Sequence, residues 1–378
     1  MPDKSDPRRD SRLDLAGKLS QPWLADRLDA VAAGKPSSAP TVVELDPTSF
    51  CDLACPECIS KPLLQKGRFT SDRLLQLCDE LVSAGVRAVI LIGGGEPLMH
   101  PAIDSVIERL NDGGIAVGLT TNGTQIARHI DVIATHVAWT RVSVDAATPH
   151  TYQAIRPHRG GRNLFDNVIN GMRHLASLKQ GDLGYSFLLV TRRTQGGPIE
   201  ESNLGDLVPA AMLARDIGCD FFEVKPEYDQ EHYLLPQTED WTSRLHVALA
   251  AIRALETDRF TVVAPSTLGA TLSREQQEQP KSYTRCPITE VRTLLTSDGA
   301  FACPYHRGSP TAWYGDPVTT PFQDLWASHL RQSQSVDPSV SCRFHCIRHE
   351  SNLRILERTH QVCLPSDHHT EQPYDPFV

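Results

Sequence analysis

Three closely spaced cysteines constrain this chain more than any other feature. Cys51, Cys55 and Cys58 lie within eight residues, in the segment CDLACPEC, directly after an apolar run that predicts a strand at 41–46. Three thiolates at this spacing can bind three irons of a cubane cluster and leave the fourth iron without a protein ligand. The alternative is a zinc knuckle that takes its fourth ligand from elsewhere, but C-x3-C-x2-C is not a usual zinc spacing. The pattern therefore favours an iron–sulfur cluster with one open coordination position.

Short apolar runs alternate with longer amphipathic segments after this strand, which is the rhythm of parallel β/α units. We predict strands at 41–46, 88–92, 115–119, 139–144, 185–190 and 221–224, and helices at 71–84, 102–112, 124–134, 164–178 and 204–217. Right-handed crossovers would curl this array into an α/β fold, a partial (β/α)6 TIM-like barrel with its chemistry at the carboxyl ends of the strands.

The rest of the chain divides around this predicted barrel. We expect an N-terminal extension at 1–38, the barrel at 39–235, a helical linker at 236–280, a small cysteine-rich α+β domain at 281–363, and an unstructured or clasp-like tail at 364–378.

Composition excludes several classes of protein. Lys and Arg total 37 against 46 Asp and Glu, and a net charge of −9 leaves nothing to neutralise a nucleic acid. No apolar run approaches the roughly 20 residues of a membrane span, and we expect a cytoplasmic protein with no secretory signal. In that setting ten cysteines indicate metal binding or catalysis rather than disulfides. Cys78 and Cys219 lie in apolar stretches and are predicted packing residues.

The cysteine spacing after the first strand resembles that of the radical S-adenosylmethionine (SAM) superfamily. The segment IGGGEP at 92–97 resembles the Gly-Gly-Glu-Pro segment of that family, which meets the amino group of SAM. The resemblance implies cofactor-binding roles for residues at the ends of strands two to four and just beyond: Gly94, Gly95, Glu96, Pro97, Asn122, Ser143, Asp145 and Arg156. Family members commonly carry an aromatic residue before the third cysteine, where it packs on adenine. Here that residue is Glu57, so another group has to cover the base.

A second group of cysteines follows the predicted barrel. Cys286 and Cys303 are predicted to bracket a β-hairpin, and Cys342 and Cys346 form a later pair. Four thiolates would saturate either a [4Fe–4S] cluster or a zinc ion. The layout resembles the twitch domain, a shortened SPASM domain, of radical SAM proteins, which implies one auxiliary [4Fe–4S] cluster. Cys363 is a spare or substitute ligand.

The resemblance also implies the reaction. A one-electron donor such as flavodoxin or ferredoxin reduces the first cluster, SAM is cleaved to a 5′-deoxyadenosyl radical, and the radical abstracts hydrogen from the substrate. We expect a small polar metabolite, such as a sugar, aminocyclitol or nucleoside, whose carbinol is oxidised to a ketone. Glu223 and Lys225 share one side of the extended segment at 221–228 and are the candidate bases.

Two alternatives remain open. One is a radical SAM epimerase, and the other is a maturase of a ribosomally synthesised peptide. Maturases of that family usually carry an N-terminal peptide-binding domain of roughly 80–90 residues, whereas only about 40 residues precede the first predicted strand here, which disfavours that alternative.

Overall fold

The computed structural model describes residues 15–193, 199–228, 233–234, 238–264, 268, 281–332, 336–342, 346–358 and 374–378. Its strands are β1 (Val42–Asp46), β2 (Ala88–Leu91), β3 (Ala116–Thr121), β4 (Val137–Ser143), β5 (Asp182–Leu189), β6 (Thr191–Arg193), β7 (Ile199–Ser202), β8 (Phe221–Tyr228), β9 (Tyr233–Leu234), β10 (Thr261–Val263), β11 (Arg292–Thr296), β12 (Gly299–Phe301) and β13 (Trp313–Gly315).

The six predicted barrel strands are confirmed as one parallel sheet in the order β8-β5-β4-β3-β2-β1. Strand β10 extends this sheet in parallel beside β8, and β11 extends it in parallel beside β1. Strands β12 and β13 then continue it antiparallel beyond β11. The fold is therefore an α/β partial TIM-like barrel whose sheet continues into the C-terminal unit. The predicted hairpin between Cys286 and Cys303 is the β11–β12 pair.

Helices cover the outside of the sheet. They are α1 (Ala25–Ala32), α2 (Ser71–Ala84), α3 (Ile103–Asp112), α4 (Ile130–His136), α5 (Pro149–Ile155), α6 (Phe165–Leu178), α7 (Leu207–Ile217), α8 (Glu239–Arg253), α9 (Phe322–Gln332), α10 (Pro338–Ser341) and α11 (His349–Glu357). The ends follow local chemistry, as in α2, where the Thr70 hydroxyl accepts from the Arg73 amide and Gly85 ends the helix at φ 80°.

The third predicted helix begins later than expected. We predicted it from residue 124, but α4 begins at Ile130 after a short 3-10 turn. The hydroxyl of Thr124 and the amide of Gln125 donate to the Asp52 carboxylate at 2.7 and 3.1 Å, so these side chains bind the cysteine loop. Helix α5, the hairpin of β6 and β7, and strand β10 were not predicted.

The two ends of the described chain meet on the C-terminal unit. The Lys18 ammonium lies 2.7 Å from the Asp375 carboxylate, and Phe377 and Val378 are buried with α1 residues in a small apolar cluster. Residues 374–378 lie against this part of the chain, and 364–373 of the predicted tail, together with Cys363, lie outside the described residues. Cys78 and Cys219 are buried in the main core, as predicted. Within the described ranges, no helix combines the length and apolar character that crossing a bilayer requires.

Candidate active site

A single cavity of about 1280 Å³ opens at the carboxyl ends of the barrel strands and reaches the C-terminal unit. Every predicted site residue except Pro97 lines this central cavity. All seven predicted metal ligands therefore face one space, although they come from loops up to about 290 residues apart in sequence.

The loop that carries Cys51, Cys55 and Cys58 is anchored by its own main chain. The Cys51 carbonyl accepts hydrogen bonds from the Gln65 amide at 2.7 Å and from the Arg159 guanidinium at 2.9 Å. Burial raises the pKa of Cys51 to about 12 and that of Cys55 to about 11. These thiols are protonated in the metal-free protein, so cluster binding would release their protons.

Asp52 ties this loop to the end of β3. Besides Thr124 and Gln125, the Asp52 carboxylate accepts from the side-chain amide of Asn122 at 2.8 Å. The same side-chain nitrogen lies 3.8 Å from the Cys51 sulfur. Asn122 therefore supports the cysteine loop from the next strand but one. Asp52 was missed by the sequence analysis, since an acidic residue between two cysteines has no distinguishing pattern.

The glycine-rich segment after β2 lies directly against the start of the cysteine loop. A Cβ added to Gly95 would lie 2.3 Å from the Phe50 carbonyl oxygen and 2.4 Å from that of Thr48. Only glycine permits this approach, and the Glu96 amide then donates to Phe50 O at 2.8 Å. The cavity wall thus combines three thiols with exposed main chain, which fits a cluster that holds a small polar ligand.

Glu96 is completely enclosed by hydrogen-bond donors. Its carboxylate accepts from the Thr121 hydroxyl at 2.6 Å and from the main-chain amides of Asn122 at 2.7 Å and Leu98 at 3.1 Å. Burial nevertheless raises its pKa to about 7. A carboxylate has about four lone-pair directions, so one acceptor position remains for a ligand.

Asp145 and Arg156 form a buried ion pair at the end of β4. The Asp145 carboxylate lies 2.5 Å from the guanidinium and also accepts from the Leu188 amide at 2.7 Å. Asp145 adopts φ 60°, a left-handed conformation that Asp tolerates better than most residues. Ser143, the last residue of β4, is half-buried two residues earlier. The SAM roles predicted for these residues remain predictions.

Glu57 contacts Arg192 across the rim of the cavity. The carboxylate lies 2.5 Å from the guanidinium, which also donates to the Ala154 carbonyl at 2.9 Å. An ion pair between the cysteine loop and β6 therefore occupies the position at which the resemblance predicted an aromatic residue.

The four C-terminal cysteines are electrostatic neighbours of one another. Burial raises the pKa of Cys286 to about 12, and the nearby Cys346 and Cys342 add to the shift. Burial likewise raises the pKa of Cys303, with further contributions from the other three thiols. Asn352 donates to the Cys286 sulfur at 3.4 Å, and a His306 ring nitrogen lies 3.2 Å from the Cys342 sulfur. His306 is a further candidate ligand that the sequence analysis missed.

The two cysteine sets supply three and four free thiols. Among the residues that the structure describes, no three His, Cys, Asp or Glu side chains converge tightly enough to chelate a single metal ion. A cubane spreads its irons over separate corners and is bound by a wider ring of thiolates than a zinc ion. The donor set of each group fits such a cluster.

Charged side chains fill the barrel interior below Ser143. Glu223 lies 3.1 Å from Arg141 and 3.4 Å from Lys225, and Arg141 also donates to the Thr120 hydroxyl at 3.3 Å. Although burial alone would raise it, Arg141 and Lys225 hold the pKa of Glu223 below its usual range. Burial and the neighbouring Arg141 lower the pKa of Lys225. The lowered pKa brings Lys225 closer to the neutral form that a base requires, and the roles of Lys225 and Glu223 as bases remain predictions.

Arg141 was missed by the sequence analysis. Its position two residues before Ser143 on β4 could have identified it as facing the interior. Its Nε is buried without a hydrogen-bond partner in the described part of the chain, although the two terminal nitrogens are satisfied.

Comparisons with known proteins agree with this site. The chain is 24% identical over 319 residues to the mycofactocin maturase MftC of Mycobacterium tuberculosis, covering 80% of this chain and 76% of that protein. It is 27% identical over 192 residues to the AdoMet-dependent heme synthase of Methanosarcina barkeri, and spans about half of that protein's length (51%) and 50% of its own. The fold is similar to that of Streptococcus suis SuiB bound to the precursor peptide SuiA, with a TM-score of 0.58 at 13% identity, covering 80% of this chain and 68% of that one.

The family assignment rests on the barrel. Residues 45–196 match the family model of the Radical SAM superfamily, and this range contains the cysteine loop, the glycine-rich segment, Asn122, Ser143, Asp145 and Arg156. A [4Fe–4S] cluster and SAM are the cofactors of that family, and the three thiols and the glycine-rich wall fit them. Residues 45–196 of the chain therefore match the Radical SAM superfamily.

Proposed function

We propose that this chain is a radical SAM maturase that modifies a peptide held in the central cavity. The observation that carries the proposal is the single cavity onto which both cysteine sets open. At about 1280 Å³ it exceeds the roughly 300–1,000 Å³ of ordinary small-molecule pockets, which leaves room for a peptide segment beside the cofactors.

The relatives support a peptide substrate over our first expectation of a sugar, aminocyclitol or nucleoside. The similarity to MftC, a maturase, extends over 319 residues and so beyond the radical SAM domain. SuiB, whose fold is similar, binds a precursor peptide. The names of these two proteins indicate a maturase and a protein bound to a precursor peptide. The maturase alternative therefore becomes the main proposal.

Each group of residues in the cavity has a separate role in the proposed reaction. When bound, the first cluster and SAM supply a 5′-deoxyadenosyl radical, and Cys286, Cys303, Cys342 and Cys346 would hold an auxiliary [4Fe–4S] cluster of the twitch or SPASM type. The Glu57–Arg192 pair closes the rim and helps to exclude water. Lys225 in its neutral form would take a proton from the substrate at its Nζ and become the ammonium group, which Glu223 then stabilises from 3.4 Å. A one-electron donor such as flavodoxin or ferredoxin is part of this proposal.

The test is formation of 5′-deoxyadenosine by the reconstituted full chain. We expect a pool of synthetic peptides to increase formation at least about tenfold over the uncoupled rate. A variant with all four C-terminal cysteines changed to Ala is the matched control, because it keeps the first cluster and should keep uncoupled SAM cleavage. If no peptide stimulates the wild type and a metabolite panel does, the maturase proposal is wrong.

A second candidate, oxidation of a polar metabolite's carbinol, is favoured by the Arg141–Glu223–Lys225 cluster. Two cations and one carboxylate in a buried interior suit a hydroxylated or acidic small molecule. Sugars, aminocyclitols and nucleosides with deuterium at the carbinol carbon test it. Label in 5′-deoxyadenosine supports this candidate, and label retained wholly in the product excludes it.

A further inference from the structure

One side chain of the C-terminal unit reaches the glycine-rich segment of the barrel. Arg307 follows the 3-10 turn Pro304–His306, which begins directly after Cys303. Its guanidinium pairs with the Asp46 carboxylate at the end of β1, and the two side chains are 12% and 2% exposed. The loop of a predicted auxiliary-cluster ligand therefore ends on a buried carboxylate beneath the SAM site.

Asp46 also forms a hydrogen bond with the main chain of the glycine-rich segment. Its Oδ2, which receives the Arg307 guanidinium, also accepts from the Gly94 amide at 3.0 Å, and its Oδ1 accepts from the Thr48 amide at 3.3 Å. Arg307 also covers Gly94 directly, since a Cβ added there would lie 2.8 Å from each terminal guanidinium nitrogen. The guanidinium thus restrains Gly94 both by contact and through Asp46.

We infer that Arg307 is a positioning residue for SAM, because it fixes the glycine-rich segment through Asp46 and so lets the C-terminal unit set the affinity for the amino-acid end of SAM. This role goes beyond the proposed function and holds for any substrate. Coupling between sites is reciprocal, so SAM binding also orders the loop that follows Cys303.

The physical reason is the cost of a buried unpaired charge. Asp46 is almost fully enclosed, and without the guanidinium its carboxylate has to protonate or turn toward water. Either change weakens its hydrogen bond to the Gly94 amide and frees the segment that lines the cavity. Lys at position 307 restores the charge but not the planar group that covers Gly94, so it can restore only part of the effect.

Binding measurements on the reconstituted full chain test this inference. We expect Arg307→Ala to weaken SAM binding about tenfold and Arg307→Lys to weaken it less. The second probe is 5′-methylthioadenosine, which lacks the amino-acid end of SAM, and we expect its affinity to stay within about twofold in both variants. Iron content equal to that of the wild type shows that each variant is folded and loaded.

Arg292 offers a matched control. It also joins the C-terminal unit to a β1 carboxylate, at 2.8 Å from Glu44, but two residues further from the glycine-rich segment. We expect Arg292→Ala to leave SAM affinity within about twofold of the wild type. Equal losses for SAM and 5′-methylthioadenosine in Arg307→Ala, or an equal loss of SAM affinity in Arg292→Ala, would overturn the inference.

A double variant keeps the inference testable if Arg307→Ala is poorly folded. Gly94→Ala alone places a methyl group against the guanidinium and should weaken SAM binding. In the Arg307→Gln background, a shorter and uncharged side chain leaves more space, so Gly94→Ala should cost less than in the wild type. Strictly additive losses would show that the two residues do not act through their contact and would refute the inference.

Discussion

Glu96 offers the sharpest test of the predicted SAM site because burial opposes the ionisation of its carboxyl group. The carboxylate is fully buried, and burial raises its pKa to about 7 although three donors stabilise the charge. The ordinary pKa is near 4.5, and the difference corresponds to about 3 kcal/mol of free energy of unfolding.

The sign of the effect follows from proton binding. Between pH 4.5 and 7 the folded carboxyl binds a proton more tightly than the unfolded one does. The free energy of unfolding of the SAM-free protein should therefore fall as pH rises through this range, by at most about 1.4 kcal/mol per pH unit, and become constant above about pH 7.

We expect Glu96→Gln to abolish this dependence without a large net change in stability. Gln removes the buried charge, which stabilises the folded chain above pH 7. Its carboxamide also sets an N–H₂ group against one of the three donors, which costs about 1–3 kcal/mol. Because the two effects offset each other, the difference between the pH slopes of wild type and variant is the quantity to measure, by thermal or chemical denaturation.

SAM binding should show the opposite trend with pH. The ionised Glu96 has one acceptor position left for the amino group of SAM, so the affinity of the wild type should rise up to about tenfold per pH unit toward pH 7 and then level. SAM also titrates, and the ratio of wild-type to Glu96→Gln affinity cancels that contribution. Equilibrium dialysis of the reconstituted proteins between pH 6 and 8.5 gives this ratio. A ratio that does not change with pH would refute the reasoning.

Three further outcomes are expected. Two clusters imply about eight irons per reconstituted chain. Replacing Cys51, Cys55 and Cys58 with Ala should leave about four irons, and so should replacing the four C-terminal cysteines. Stoichiometric zinc in the second site would contradict the auxiliary cluster. Cys78→Ala and Cys219→Ala should each lower the free energy of unfolding by roughly 1 kcal/mol and leave iron content intact, since both thiols are buried in the core; lost iron would show that the cysteines are wrongly partitioned. Lys225→Met should slow product formation by about 100-fold or more and leave SAM affinity within about twofold, with Glu223→Gln less affected, and the reverse order would make Glu223 the base.

The barrel could be predicted from the sequence because its signals are local. Each parallel strand is a short apolar run followed by a longer amphipathic segment, so alternation alone located all six strands. The pairing of β11 with β1 could not be predicted, since their residues are separated by about 250 positions and nothing in either run specifies its neighbour. Helix α4 was displaced for a similar reason, because Asp52 competes for Thr124 across the site.

The same division holds for the candidate site. The first three cysteines and the glycine-rich segment were found because each group of residues lies within one short stretch of sequence. Asp46 and Arg307 were missed because each is ordinary in its own segment and becomes distinctive only through the other. Glu223 was predicted as a candidate base, yet Arg141, which helps to lower the pKa of Glu223, lies 82 residues earlier and was missed.

The ion pair of Asp145 and Arg156 shows what such buried pairs contribute. Each group is nearly enclosed, at 2% and 15% exposure, so removing one leaves an uncompensated charge. We expect Arg156→Leu alone to lower the free energy of unfolding by about 3 kcal/mol, and the added change Asp145→Asn to restore at least about half of that loss. Asn tolerates the left-handed backbone at 145 and keeps an oxygen for the Leu188 amide. SAM affinity should not recover in the double variant, because the pair fixes the geometry of the site more than it stabilises the fold. Denaturation and SAM binding of the single and double variants decide this. A double variant that is no more stable than Arg156→Leu alone would contradict the expectation that Asp145 is left as an uncompensated charge.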